Sequence, residues 1–89
     1  MQQQVAHFIL FSRSYCHLCD DMQQALQTQF APELYTLEVR DVDQDDAALA
    51  LYDELVPVLV ARLADGSEKK LCHYFLDAQQ VQAFLNEFS

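Results

Sequence analysis

The segment VAHFILF, Val5 to Phe11, is a nearly unbroken apolar run. A strand with one solvated face alternates apolar and polar residues, whereas a run of this kind belongs to a strand covered on both faces. A chain of 89 residues that contains such a strand must place other elements on both sides of one sheet. That length is expected to form one domain spanning residues 1–89. A domain of this size buries roughly 60–65% of the surface its unfolded chain exposes, enough for a core without staples. The hydrophobic content of 52% excludes a disordered tail.

The rest of the chain supplies the covering elements. After a break at Ser12–Tyr15, Leu18, Met22, Ala25, Leu26 and Phe30 recur at helical spacing, with Asp and Gln between them. Ser14 is the candidate N-cap, which places Cys16 in the first helical turn. Pro32 ends that segment, because proline cannot continue a helix. LYTLEVRDV, Leu34 to Val42, has the β-branched and aromatic content of a strand. DQDDAALALYDEL, Asp43 to Leu55, reads as a helix whose acidic start complements the helix dipole. From Pro57 a strand, an Asp65–Gly66 turn and a return strand from Glu68 form a hairpin. Asp77 caps a final helix with Val81, Phe84, Leu85 and Phe88 as its apolar stripe. The predicted order is β-α-β-α-β-β-α, an α/β fold with a four-stranded mixed sheet and helices on both faces. Strands separated by helices are expected to pair in parallel through right-handed crossovers.

Five Lys/Arg against fourteen Asp/Glu give a formal charge of −9. Phosphate backbones and anionic membranes repel such a surface, so neither nucleic acid nor a membrane is an expected partner. The apolar run near the N-terminus is too short to span a bilayer and lacks the pattern of a cleaved signal. A cytosolic location and a monomer are expected. In a reducing compartment a close cysteine pair reads as catalytic or metal-binding rather than as a structural staple.

That pair is Cys16 and Cys19 in SYCHLCDDM. Unpaired N–H groups and the dipole at a helix start favour a thiolate, lowering a cysteine pKa from about 8.5 toward roughly 3.5–7.5. Cys16 therefore reads as the nucleophile, and Cys19, one turn on, as the thiol that resolves a mixed disulfide. Arg13 and His17 are candidate cations near the sulfur, opposed by the carboxylates of Asp20 and Asp21. The competing reading is zinc, with Cys72 and His73 of LCHYF completing the site. Consecutive residues of a strand point to opposite faces, which weighs against that set and makes Cys72 a small buried hydrophobe. His7, inside the first strand, reads as a satisfied core or edge residue. In LVPVLV, Pro57 is either the tolerated first residue of a strand or a cis proline at a functional turn.

The strand leading into LFSRSYCHLCDDM, then LYTLEVRDVDQD, LVPVLV and a closing hairpin plus helix, resembles the thioredoxin superfamily over the whole chain. It is most similar to the small glutaredoxin-like proteins of bacteria. The resemblance implies a thioredoxin-like fold and thiol–disulfide oxidoreductase activity through Cys16 and Cys19, with no metal and no resident cofactor. It implies a cis Pro57 beside the pair and a Val56 backbone that binds an extended peptide or glutathione by strand addition. Tyr15 would present an aromatic face to that substrate. A disulfide-containing protein or glutathione would be the substrate, with a reductase or glutathione as electron donor. The chain departs from the glutaredoxin pattern in having His17-Leu18 between the cysteines. YFLDAQQ stands where a Gly-Gly turn and cap are usual, with Asp77 alone matching the cap. Arg13 and Arg62 are the cations left for glutathione carboxylates. A non-catalytic binding module on the same scaffold is the alternative, since fold alone does not confer activity.

Overall fold

The computed structural model describes residues 5–88. The elements run β1 (Ala6–Ser12), α1 (His17–Gln29), β2 (Tyr35–Asp41), α2 (Asp46–Tyr52), β3 (Val58–Arg62), β4 (Glu68–His73) and α3 (Ala78–Phe88), with 3-10 turns at Pro32–Leu34 and Val42–Gln44. The strands form one mixed sheet in the order β2-β1-β3-β4. The predicted α/β order, four strands and helices on both faces are all present.

Strand β1 is central and covered on both faces, as its composition requires. Ala6, Phe8 and Leu10 pack with Met22 and Leu26 of α1 and with Val81, Phe84 and Leu85 of α3. Ile9 and Phe11 face the other way, onto Val42, Ala48, Val58 and Val60. Phe8 anchors the larger cluster, its ring centroid 5.5 Å from that of Tyr35 and 5.9 Å from that of Phe84. The edge strand β2 is far less covered than β1: Tyr35 is buried, Val39 is exposed, and His7 Nδ1 lies 2.7 Å from Thr36 Oγ1 across the β1–β2 pair.

Three local expectations are corrected. The first helix is capped by Cys16 itself, not Ser14: Tyr15 adopts φ 59°, which breaks helical geometry before the cysteine. The second helix begins at Asp46, because Asp45 is extended and its carboxylate accepts from Ala48 N–H at 3.1 Å, while Val42–Gln44 form a separate turn. Strand β3 pairs with β1 antiparallel rather than parallel. The seven residues of α2 rise only about 10 Å, too little to return the chain along a strand of about 23 Å. The next strand therefore starts at the end where β2 stopped.

The β3–β4 hairpin turns at Gly66, whose φ of 89° suits glycine and strains other residues. A bulge opposite Leu59/Val60 adds one residue to β4. That extra residue lets the consecutive Leu71 and Cys72 both enter the α1/α3-side core, overriding strict alternation.

Phe8→Ala is expected to reduce unfolding free energy by about 3–5 kcal/mol in a denaturant titration. A loss below about 1 kcal/mol would show that this ring is not the anchor of the larger cluster.

Candidate active site

The strand register gathers the loops of one end of the sheet. Ser12 lies opposite Asp41, Phe11 opposite Val58, and Val58 opposite His73. The segment Arg13–Cys16, the segment Asp53–Pro57 and the turn after His73 therefore meet at this end. Cys16 and Cys19 are joined as a disulfide with Cα atoms 5.2 Å apart, as a separation of one helical turn permits. Cys16 is half-buried and Cys19 only 3% exposed, so Cys16 is the more accessible residue of the pair.

Cys16 Sγ accepts a hydrogen bond from Cys19 N–H at 3.1 Å, and Cys16 C=O accepts from Asp20 N–H at 3.2 Å. The sulfur thus does what a serine or aspartate does at an N-cap. A donor aimed at sulfur favours its charged form. Tyr15, held in the left-handed region, projects fully into solvent beside it. His17, Asp20 and Asp21 are exposed on the first turns of α1.

The Val56–Pro57 bond is cis and Pro57 is buried. Pro57 C=O accepts from Tyr74 N–H at 2.9 Å, and Tyr74 Oη donates to Glu54 C=O at 2.8 Å. These two bonds latch the β4–α3 turn to the proline loop. Tyr74 sits at φ 64°, a position where glycine is cheaper. Among the described residues, no hydrogen bond engages the Val56 backbone, which stays free next to the cysteines.

Arg13 is committed to carboxylates. Its Nε and Nη2 donate to Asp43 at 3.1 and 3.0 Å, Nη2 also donates to Asp53 Oδ1 at 2.6 Å, and Nη1 reaches Asp53 C=O at 3.4 Å. These hydrogen bonds push its pKa up still further. The cation expected for sulfur or substrate instead ties the cysteine loop to the ends of the α2 segment. Arg62 lies at the far end of β3, opposite His7 and ion-paired with Glu68 at 3.7 Å, away from the cysteines. Asp77 caps α3, its Oδ1 accepting from Gln80 N–H at 3.2 Å.

Cys72 lies in the core, and burial pushes its thiol pKa up. A cleft of about 730 Å³ opens between the end of β4 and the start of α3, lined in part by Cys72, His73, Phe75 and Asp77 but by neither Cys16 nor Cys19. Among the described residues, no three His, Cys, Asp or Glu side chains gather as a metal-holding group. No helix among them is long and apolar enough to cross a membrane. The sequence reading missed the Arg13–Asp43–Asp53 cluster and the Tyr74 latch, which join residues 30, 40 and 20 positions apart.

A mixed sheet with a Cys-x-x-Cys at the start of the first helix and a cis proline beside it defines a thioredoxin-fold protein with a disulfide-forming pair. Within that class, the chain belongs to the Glutaredoxin-like domain (DUF836) family, whose pattern matches residues 7–86. Protein Ne2328 from Nitrosomonas europaea, solved by solution NMR, is 33% identical, with 94% of this chain and 95% of that one covered and a TM-score of 0.79. Protein XcR50 from X. campestris is 31% identical over 90% and 96% of the two chains, TM-score 0.62. Oxidized mitochondrial thioredoxin 3 from Saccharomyces cerevisiae shares the fold at 19% identity, 96% and 80% coverage and TM-score 0.67. No curated protein matches the chain.

The Cys72 thiol gives a pH dependence of defined sign. Its pKa is raised on folding, so the unfolded chain loses this proton first and stability falls as pH rises past about 8.5. In oxidised protein, where Cys16 and Cys19 do not titrate, Cys72→Ala is expected to flatten the decline in unfolding free energy between about pH 8 and 9.5. An unchanged slope would show that this thiol titrates alike in both states.

Proposed function

We propose that the chain is a thiol–disulfide oxidoreductase in which Cys16 attacks and Cys19 resolves. The observation that carries this reading is the asymmetry of the pair: an accessible sulfur capping α1 and receiving an N–H, and a buried partner within bonding distance. In the reducing direction, the Cys16 thiolate displaces one sulfur of a substrate disulfide, which leaves as a thiol after taking a proton. Cys19 then displaces the other sulfur from Cys16. Two electrons pass from the protein to the substrate; of the two protons the product thiols take up, one comes from the Cys19 thiol and one from solvent, leaving the Cys16–Cys19 disulfide.

Substrate backbone adds alongside Val56, whose free N–H and C=O offer a strand edge next to cis Pro57. Tyr15 lies against the substrate chain, and Arg13 holds the cysteine loop through Asp43 and Asp53. Asp77 borders the opposite side of the opening. No resident metal or cofactor takes part, and a dithiol reductase or glutathione restores the dithiol. A reducing compartment such as the cytosol suits this cycle.

Cys16→Ser is expected to abolish turnover of a model disulfide, and Cys19→Ser to accumulate a mixed disulfide at Cys16 visible as a mass adduct. Full turnover by Cys16→Ser would remove the reading and favour a non-catalytic binding module.

A further inference from the structure

We infer that the substrate is a polypeptide disulfide whose reacting cysteine is flanked by lysine or arginine and by an apolar side chain. The inference rests on the thiol–disulfide reading and specifies the substrate of that same site.

Two features of the sheet end that carries Cys16 lead to it. The first is apolar exposure. Tyr15 and Leu18 on one side, Tyr74 and Phe75 on the other, are four of the seven large hydrophobic residues exposed among those described. They flank the cysteines and the proline loop, since Tyr74 bonds directly to Pro57. Phe75 is 69% exposed, and Tyr15 is held outward by its backbone. Exposed aromatics of this kind, beside a free strand edge, fit a chain laid across the site.

The second is the sign of the charge around that patch. Asp20, Asp21, Glu54 and Asp77 belong to segments of this end and pair with no arginine or lysine among the described residues, while Asp43 and Asp53 share Arg13 there. Arg13 and Arg40 are its cations, and each is consumed: Arg13 by Asp43 and Asp53, Arg40 by Glu38. Arg62 and Lys69 lie along β3 and β4 toward the Gly66 turn, while Lys70, midway along β4, lines the cleft that also holds Phe75 and Asp77. The site therefore presents aromatic surface inside a rim of net negative charge, with Lys70, in the cleft beside Phe75 and Asp77, as the unpaired cation that borders it among the described residues. A carboxylate-bearing disulfide meets like charge there, whereas a basic segment meets complementary charge.

Exchange follows the balanced step given above: the protein dithiol becomes the Cys16–Cys19 disulfide, and the substrate disulfide becomes two thiols. The rim acts on encounter and on the mixed-disulfide complex, not on the bonds exchanged.

The test uses the full chain, pre-reduced and freed of reductant, in single-turnover exchange. Three peptide disulfides are compared that differ only in flanking Lys, Gln or Glu, with rates read by thiol quench and mass. Each rate is divided by that for dithiothreitol, which removes the peptide's intrinsic reactivity. At low ionic strength the Lys peptide is expected to react at least about tenfold faster than the Glu peptide, with Gln between. At about 1 M salt the ratio is expected to fall toward one. Replacing Asp20, Asp21 and Glu54 by Asn, Asn and Gln is expected to shrink the low-salt ratio. Equal low-salt rates for all three peptides, or a faster Glu peptide, would overturn the preference while leaving the exchange activity standing. No reaction with any peptide would overturn both.

Discussion

Strand β1 is hydrogen-bonded on both edges and packed on both faces, and the placement of every other element follows from that burial. An apolar strand of this kind is stable only when one layer of helices covers each face and another strand lies at each side. The chain satisfies it with α1 and α3 below, α2 above, β2 parallel on one edge and β3 antiparallel on the other. The strand's last residue, Ser12, is then a fixed point from which the cysteine loop emerges. Because β3 runs the opposite way, its first residues, and the proline before them, arrive at the same level.

The chemistry of the site is a consequence of how that loop enters the helix. Tyr15 takes a left-handed conformation that ends any earlier helical geometry, so the first helical N–H groups fall to Cys16. A sulfur in the capping position receives an N–H from Cys19 and faces the positive end of a thirteen-residue helix. The loops around it are held by polar contacts of long sequence separation, Arg13 to Asp43 and Asp53 and Tyr74 to Pro57 and Glu54. These contacts fix the loops and leave the Val56 backbone without a hydrogen-bond partner among the described residues.

Much of this was legible in the residues. The order of elements, both core faces of β1, the N-cap role of Asp77, the glycine turn and the position of the cysteine pair all follow from periodicity and turn chemistry. What was not legible depended on backbone states and distant partners. Ser14 is the better capping residue by type, yet one φ value at Tyr15 gives the role to Cys16. The bulge in β4 turns Leu71 and Cys72 to one side, which no alternation rule foresees. Arg13 carries no local sign that two carboxylates across the loop claim its fork, so a cation expected to serve substrate serves structure instead.

The claim on which the account turns is that reduced Cys16 is held as a thiolate by the start of α1. Alkylation of the fully reduced protein as a function of pH, with the modified residue identified by mass, measures this directly. The account predicts that Cys16 reacts first, with a midpoint well below the ordinary thiol value of about 8.5. A midpoint at or above that value, or preferential labelling of Cys19, would contradict it.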